Sequence, residues 1–144
     1  MKPSHLRPSI TAELAHAMIA AAEREAAVLG LHVATAIVDE SGVLKAFSRM
    51  DGAPLVSVSA ARKKALTAVG FGLPTGETWH NFIKDDPILL IGAQQLDDFT
   101  LLGGGAPVRV AGALIGAIGV SGGHYRQDEA CVRAALALLQ EPAG

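Results

Sequence analysis

Hydrophobic residues near the start of the chain recur three and four positions apart, which predicts a helix from an N-cap at Ser9 to a stop at Gly30. Its apolar stripe comprises Ile10, Leu14, Ala17, Met18, Ala21, Val28 and Leu29. The opposite side is also apolar, and it comprises Ala12, Ile19, Ala20 and Ala27 beside His16 and Glu23. A surface helix usually carries charges on that side. We therefore expect one face to pack on a sheet and the other on a second copy of the chain.

The middle of the chain predicts a hairpin followed by three helices. Residues 33–38 are rich in β-branched side chains, residues 43–49 alternate, and a turn at 39–42 joins the two strands. A helix follows over 56–70, and Pro74 ends it. A short helix capped by Thr75 or Thr78 runs to Ile83, and another opens at Asp86-Pro87 and runs to Gln95.

The last third of the chain is rich in glycine. A loop at 103–107 precedes a short strand at 108–110, and the uncharged run 113–120 is typical of a central strand buried on both faces. A second glycine loop at 121–123 leads to a helix from Gln127 to Gln140. Hairpin connections predict an α/β (α+β) fold: a mainly antiparallel sheet of about five strands, flanked by helices. We expect one domain over 1–144, with a core at about 9–140.

Composition excludes several classes of protein. A chain of 144 residues can bury one core, and a net charge of −2 without a basic run gives no footprint for nucleic acid. The lone Cys131 lies in an apolar helical stretch and is interpreted as a core residue. The apolar stretch 110–120 is too short to span a bilayer, and residues 1–9 lack the apolar part of a signal peptide. A cytoplasmic protein that binds no membrane is expected.

Two segments could bind a ligand. Arg49 and Asp51 lie where the second strand ends, and they either hold a polar ligand group or pair with each other, which is the simpler interpretation. The glycine loops 103–105 and 121–123 either surround an anion with backbone N–H groups or only permit turns. Neither loop is a P-loop, and the first precedes a strand, so a nucleotide cofactor is not expected.

Histidines and a lysine are the other chemical candidates. His16, on the face expected to meet a second copy, could ligate a metal or haem iron across a twofold axis. His124, in a glycine-rich bend, is the histidine most expected to line a pocket. Lys64 is interpreted as solvated, with an anion anchor or a desolvated base as alternatives. Ser121 has the spacing of a nucleophile elbow, but no histidine beyond position 124 completes a serine hydrolase.

Taken together, these motifs resemble the GlcG/HbpS family, which includes the C-terminal domain of PduO-type proteins. The motifs are Arg49 to Ala53, Ala61-x-x-Lys64-Ala-x-Thr67-Ala, Asp86-Pro87, Gly103 to Val108, and Gly116 to Gly123 leading into Gln127 to Ala130. The resemblance implies an antiparallel sheet with helices on both sides, assembly into dimers or higher oligomers, and haem binding in some members. It also implies a haem-ligating histidine on the first helix, and His16 is the position that could play this role.

The residues and the resemblance indicate one pocket at an end of the sheet, completed by a neighbouring subunit. Its expected lining is Arg49, Asp51, Lys64, Trp79, His80, Gly103, Gly104, Gly105, Ser121, Gly122, Gly123 and Glu129. The favoured function is binding of haem or a related tetrapyrrole, with Arg49 or Lys64 at the propionates. An alternative is a cofactor-independent tautomerase, isomerase or lyase acting on a small carboxylate or carbonyl compound. Its proton shuttle would be Asp51, Glu129 or His124, and its anion clamp Arg49 or Lys64. A third is an assembly partner without ligand chemistry.

Overall fold

Four strands pair into one antiparallel sheet in the order β2-β1-β4-β3 in the computed structural model, which describes residues 1–140. The elements in chain order are α1 (Ala12–Val28), β1 (Ala34–Asp39), β2 (Leu44–Arg49), α2 (Val56–Phe71), α3 (Glu77–Ile83), α4 (Pro87–Ala93), β3 (Gly105–Val110), β4 (Ala113–Ser121) and α5 (Tyr125–Leu136), followed by a 3-10 turn at Ala137–Leu139. The predicted antiparallel α+β class is confirmed. The sheet has four strands where about five were expected.

Alternation along the strands gives the sheet two buried faces. Ala34, Ala36 and Val38 of β1 pack against α2, whereas Val33 and Ile37 belong to the core beneath α1 and α5. The predicted two-sided character of β4 is confirmed, because this strand lies between β1 and β3 and is buried from residue 115 to residue 121.

The predicted apolar stripe of α1 is correct only in part, since Ile10, Met18 and Ala21 are buried and Leu14 packs against the core. Thr11 caps the helix, since its hydroxyl accepts a hydrogen bond from the N–H of Leu14. Among the predicted positions, Ala17 and Val28 are exposed, while Ile19 from the opposite side is buried. The fully buried residues of the helix are Ala15, Met18, Ala22 and Ala26. Alanines occupy every side of this helix, so spacing alone could not select the face that meets the sheet.

Two other helix starts differ from expectation. Gly76, with φ +86°, precedes α3 without a side-chain cap, because the hydroxyl of Thr75 accepts instead from the N–H of Gly105. Helix α5 begins before Gln127, since Nδ1 of His124 accepts from the N–H of Arg126 and the Gln127 side chain accepts from the N–H of His124. Histidine is not among the usual N-cap residues, which is why this start was missed.

The predicted cap of α4 is confirmed, because Oδ1 of Asp86 accepts hydrogen bonds from the N–H groups of Ile88 and Leu89. Among residues 1–140, none of the helices combines the length and the apolar character needed to cross a bilayer. The cytoplasmic location stays a prediction.

Candidate functional site

A cleft between α3 and α5 has a floor made of glycine backbone. One cavity of about 350 Å³ lies over Gly76 and Gly103, and a second of about 270 Å³ lies over Gly104 and Gly105. Glu77 lines both cavities, so they are neighbouring parts of one cleft. The predicted role of the loop 103–105 in allowing close approach to the backbone is therefore compatible with the structure.

Polar side chains from both helices form the walls of this cleft. Helix α3 contributes Glu77, His80 and Asn81, and α5 contributes Tyr125, Arg126, Glu129 and Arg133. The apolar part of the first cavity comes from Leu101 and Leu102. A concave surface with a few converging polar groups is the usual form of a small-molecule site.

The carboxylate of Glu129 lies against the glycine floor. A Cβ at Gly76 would be 2.8 Å from its Oε1, and a Cβ at Gly103 would overlap the same oxygen. The half-buried Glu129 side chain makes no hydrogen bond or ion pair with any other residue in the range 1–140. Glycine at these two positions thus makes room for an unpaired carboxylate at the edge of the cleft.

A buried ion pair lies beneath the floor. Nζ of Lys64 is 2.9 Å from Oδ2 of Asp128 and donates a second hydrogen bond of 2.8 Å to the carbonyl of Val120. The other carboxylate oxygen, Oδ1 of Asp128, accepts from the N–H of Gly123. Both side chains of the pair are almost fully buried, 2% and 1% exposed. The pair thereby fixes α2, the end of β4 and α5 relative to one another.

The interpretation of Lys64 as a solvated cation was wrong. Burial lowers its pKa from the ordinary 10.5, while the charges of Asp128 and Glu129 oppose that change. Because its charge is satisfied within the chain, Lys64 is not available as an anion clamp. Asp128 was not predicted from the sequence. Its spacing from the apolar residues Cys131, Val132 and Ala135 could have indicated that it lies on the buried side of α5.

Arg49 and Asp51 lie away from the cleft. Arg49 and Ser121 both pair with Ala34, one on each side, so their Cα atoms are separated by two strand spacings, roughly 10 Å. Both Arg49 and Asp51 are exposed, and they form no ion pair with each other, so the simpler interpretation was wrong. Gly122 and Gly123 pack against the segment 31–33. The residues expected to line one pocket therefore lie at two separate places, the cleft between α3 and α5 and the end of β2. Ligand binding by Arg49 and Asp51 stays a prediction.

Trp79 and His124 do not line the cleft. Trp79 is 5% exposed and packs among aromatic rings, with centroid distances of 4.4 Å to Phe71 and 5.3 Å to Phe82. Nδ1 of His124 is engaged in capping α5. His80, next to Trp79, is exposed and does line the first cavity.

His16 is exposed on the outer side of α1, and its ring forms no hydrogen bond within residues 1–140. It lies on the opposite face of the sheet from Arg49. Ser48 donates to Glu23 of α1, so the next residue, Arg49, is directed to the α2 side. Within residues 1–140, no three or more His, Cys, Asp or Glu side chains are grouped to hold a metal ion.

Cys131 is buried, and that burial is the main reason why its pKa rises to about 11. A thiol with such a pKa is protonated at neutral pH and is a weak nucleophile. The interpretation of Cys131 as a core residue is confirmed.

Comparison with known proteins gives a consistent result. Residues 10–137 match the family model described as haem degrading protein HbpS-like. Protein GlcG of Escherichia coli K12 is 35% identical over 112 residues, which are 78% of this chain and 81% of GlcG. A double mutant of Streptomyces reticuli HbpS superposes with a TM-score of 0.84 at 32% identity, over 98% of this chain and 99% of that one. PduOC in a complex with heme superposes with a TM-score of 0.81 at 31% identity, over 90% of this chain and 94% of PduOC.

Proposed function

Because the chain belongs to the HbpS-like family of haem degrading proteins, we propose that it binds haem or a related tetrapyrrole, with the imidazole of His16 as the iron ligand. The observation that carries the proposal is the likeness, over nearly the whole chain, to PduOC in its complex with heme. Assembly of two or more copies around the ligand is part of the proposal, since the outer face of α1 is open to a second copy.

The residues around His16 fit a flat macrocycle. Along the helix, His16 is flanked on the same side by Ala12, Ala20 and Ala27, of which the first and last are exposed and Ala20 is half-buried. The side chains of these alanines are short and do not project beyond the imidazole, so a planar ligand can reach the ring nitrogen. A neutral imidazole without another partner is a good ligand for haem iron.

Within one copy of the chain, neither of the two predicted cations suits the propionates of a haem at His16, and a contribution of Arg49 from a second copy stays a prediction. Lys64 is paired with Asp128, and Arg49 lies on the opposite face of the sheet from His16. Arg24 is exposed on α1, eight residues beyond His16 and therefore about 12 Å along the helix axis. Its guanidinium would bind a carboxylate. Haem, when bound, would supply a redox-active iron. His16 would hold the iron, Arg24 would bind the propionates, and the alanines beside His16 would contact the ring.

Titration with hemin tests this proposal. We expect the Soret band of hemin to shift with the wild-type protein, and the His16→Ala variant to bind at least about tenfold more weakly, because it lacks the imidazole that would hold the iron. His80→Ala is the matched control, since His80 is also an exposed histidine but lies on α3. Wild-type spectra identical to those of free hemin would contradict haem binding. An unchanged His16→Ala spectrum would contradict the assignment of the ligand.

A second candidate is the cofactor-independent enzyme acting on a small carboxylate or carbonyl compound. The observation that favours it is the unpaired carboxylate of Glu129 in a cleft of small-molecule size. Such a carboxylate can accept a proton from carbon if the substrate is held within hydrogen-bond reach. Of the four predicted catalytic candidates, only Glu129 lines this cleft, because Lys64 is buried in its ion pair, His124 caps α5, and Asp51 lies beyond the end of β2.

Hydrogen exchange at carbon tests the second candidate without requiring a known product. We expect the protein in D₂O to replace carbon-bound protons of pyruvate or lactate with deuterium, as seen by loss of their proton NMR signals. Glu129→Gln should abolish this exchange, because an amide cannot take the proton, whereas Asp51→Asn should leave it unchanged. Equal rates with and without wild-type protein would contradict the enzymatic function for these acids.

A further inference from the structure

We propose that the cleft between α3 and α5 binds a small monocarboxylic acid that also carries a hydrogen-bond donor, that is, a hydroxy acid or an amino acid. This inference rests on the second candidate function for the location of the site, and it adds the class of ligand. It is independent of haem, because His16 lies on α1 and lines neither cavity.

Glu129 is the reason why the ligand needs a hydrogen-bond donor. A carboxylate oxygen accepts hydrogen bonds, and those of Glu129 have no donor within residues 1–140, although the residue is half-buried. Its oxygens are not among the fully buried atoms without a partner, so water reaches them, and a ligand that donates a hydrogen bond can take the place of that water. Both Gly76 and Gly103 leave the space that Glu129 occupies beside the floor. The ligand therefore completes the site with a hydroxyl or an ammonium group.

Arg126 is the residue that binds the carboxylate of the ligand. It lies three residues before Glu129 on α5, a spacing that brings helical side chains together, yet the two form no ion pair. Its guanidinium is instead held over the ring of Tyr125, 5.5 Å from the centroid, at the first cavity. A guanidinium supported in this way keeps its N–H groups free to bind a carboxylate with two parallel hydrogen bonds.

The remaining lining restricts the ligand further. Arg126 lines the cavity of about 350 Å³ and Glu129 the neighbouring cavity of about 270 Å³. Each is near the lower limit for small-molecule sites, roughly 300–1,000 Å³, so the acid has few atoms. Glu77 lines both cavities, and its negative charge disfavours a second carboxylate. Leu101 and Leu102 offer an apolar surface to a short carbon chain.

Three acids with the same three-carbon chain separate these requirements. Lactate carries a hydroxyl, alanine an ammonium group, and propionate neither. In calorimetric titrations we expect wild-type protein to bind lactate and alanine at least about tenfold more tightly than propionate, because only these two donate to Glu129. Arg126→Gln should weaken lactate and alanine by a similar factor, since both present the same carboxylate.

Variants at the acceptor complete the test. Glu129→Gln should reduce binding of alanine at least about tenfold, because the ammonium group loses a charged partner, and should bring its affinity close to that of propionate. Gly103→Ala should act in the same direction by displacing the Glu129 carboxylate. Lys45→Met, at an exposed position of β2, is the control that leaves all three affinities unchanged, and thermal unfolding followed by circular dichroism confirms that each variant is folded.

The outcomes separate this inference from the proposed functions. Equal affinities for the three acids, no binding of any of them, or undiminished binding of alanine to Glu129→Gln would overturn it. Binding as expected without hydrogen exchange at carbon would support the site and remove the enzymatic candidate. Loss of hemin binding in His16→Ala with normal acid binding would place the two ligands at separate sites.

Discussion

Asp128→Asn is expected to lower the free energy of unfolding by about 3–5 kcal/mol, because it leaves the buried ammonium of Lys64 without its counter-ion. Both side chains are nearly inaccessible to water, so solvent cannot replace the lost charge. The substitution keeps the size of the side chain and therefore creates no cavity. Urea denaturation of the wild type and the variant, followed by circular dichroism, measures the difference.

Two controls distinguish the unpaired charge from general disturbance of the core. The double variant Lys64→Met/Asp128→Leu removes both charges and should recover most of the loss, since replacing a buried pair by apolar residues is often close to neutral. Recovery should be incomplete, because the N–H of Gly123 loses its acceptor. Lys63→Met, at an exposed position next to Lys64, should stay within about 0.5 kcal/mol of the wild type. A double variant as unstable as Asp128→Asn would contradict this explanation.

The same effect has a defined pH dependence. Burial already lowers the pKa of Lys64 below 10.5, and Asp128 is the main interaction that raises it again, so Asp128→Asn lowers it further. Between the lowered pKa and 10.5, the unfolded chain binds a proton that the folded chain does not, and the free energy of unfolding therefore rises with pH. The deficit of the variant relative to the wild type should thus be smaller at about pH 10 than at about pH 7. A deficit that does not change with pH would indicate that lost packing, not charge, is responsible.

The elements of this fold could be predicted because their signals are local. The uncharged run at 113–120 became strand Ala113–Ser121, and the Asp86-Pro87 start of α4 was confirmed, since a cap and its helix are neighbours in sequence. The number of strands and the rotation of α1 depend on packing partners, which spacing does not identify. The start of α5 is also determined locally, because His124 caps it, but an imidazole there is not the side chain from which a cap is usually predicted.

The site was predicted less well because its contacts join distant segments. Lys64 and Asp128 are 64 residues apart, and nothing near Lys64 in the sequence indicates a buried partner. Gly76 and Gly103 are brought together beneath Glu129 because the segment before α3 is hydrogen-bonded to the segment that leads into β3: the N–H of Gly76 donates to the carbonyl of Leu101. Glu129, His80 and the loop 103–105, which the sequence marked as candidates, do line the cleft, and their role in ligand binding stays a prediction. The sequence could not show that Arg49 and Asp51 belong to a different place on the same sheet.

Gly119→Ala is also expected to have a large effect, a loss of about 3 kcal/mol in the free energy of unfolding, because it forces two backbones apart. Gly119 lies in the second half of β4, where α2 packs on the sheet. A Cβ at this position would overlap the carbonyl oxygen of Ala61 and would lie 2.7 Å from the backbone nitrogen of Ala65. No side chain can rotate to relieve such a contact, so the helix itself must shift.

Gly70→Ala is the matched control for this substitution. Gly70 belongs to the same helix α2, and a Cβ there meets nothing within 4 Å. We expect it to raise the free energy of unfolding by about 0.5–1 kcal/mol, because alanine restricts the unfolded chain and favours the helix. Urea denaturation of both variants measures the contrast. If Gly119→Ala were as stable as Gly70→Ala, the close approach of α2 to β4 would not be a constraint on the fold, and the alanines along α2 would need another explanation.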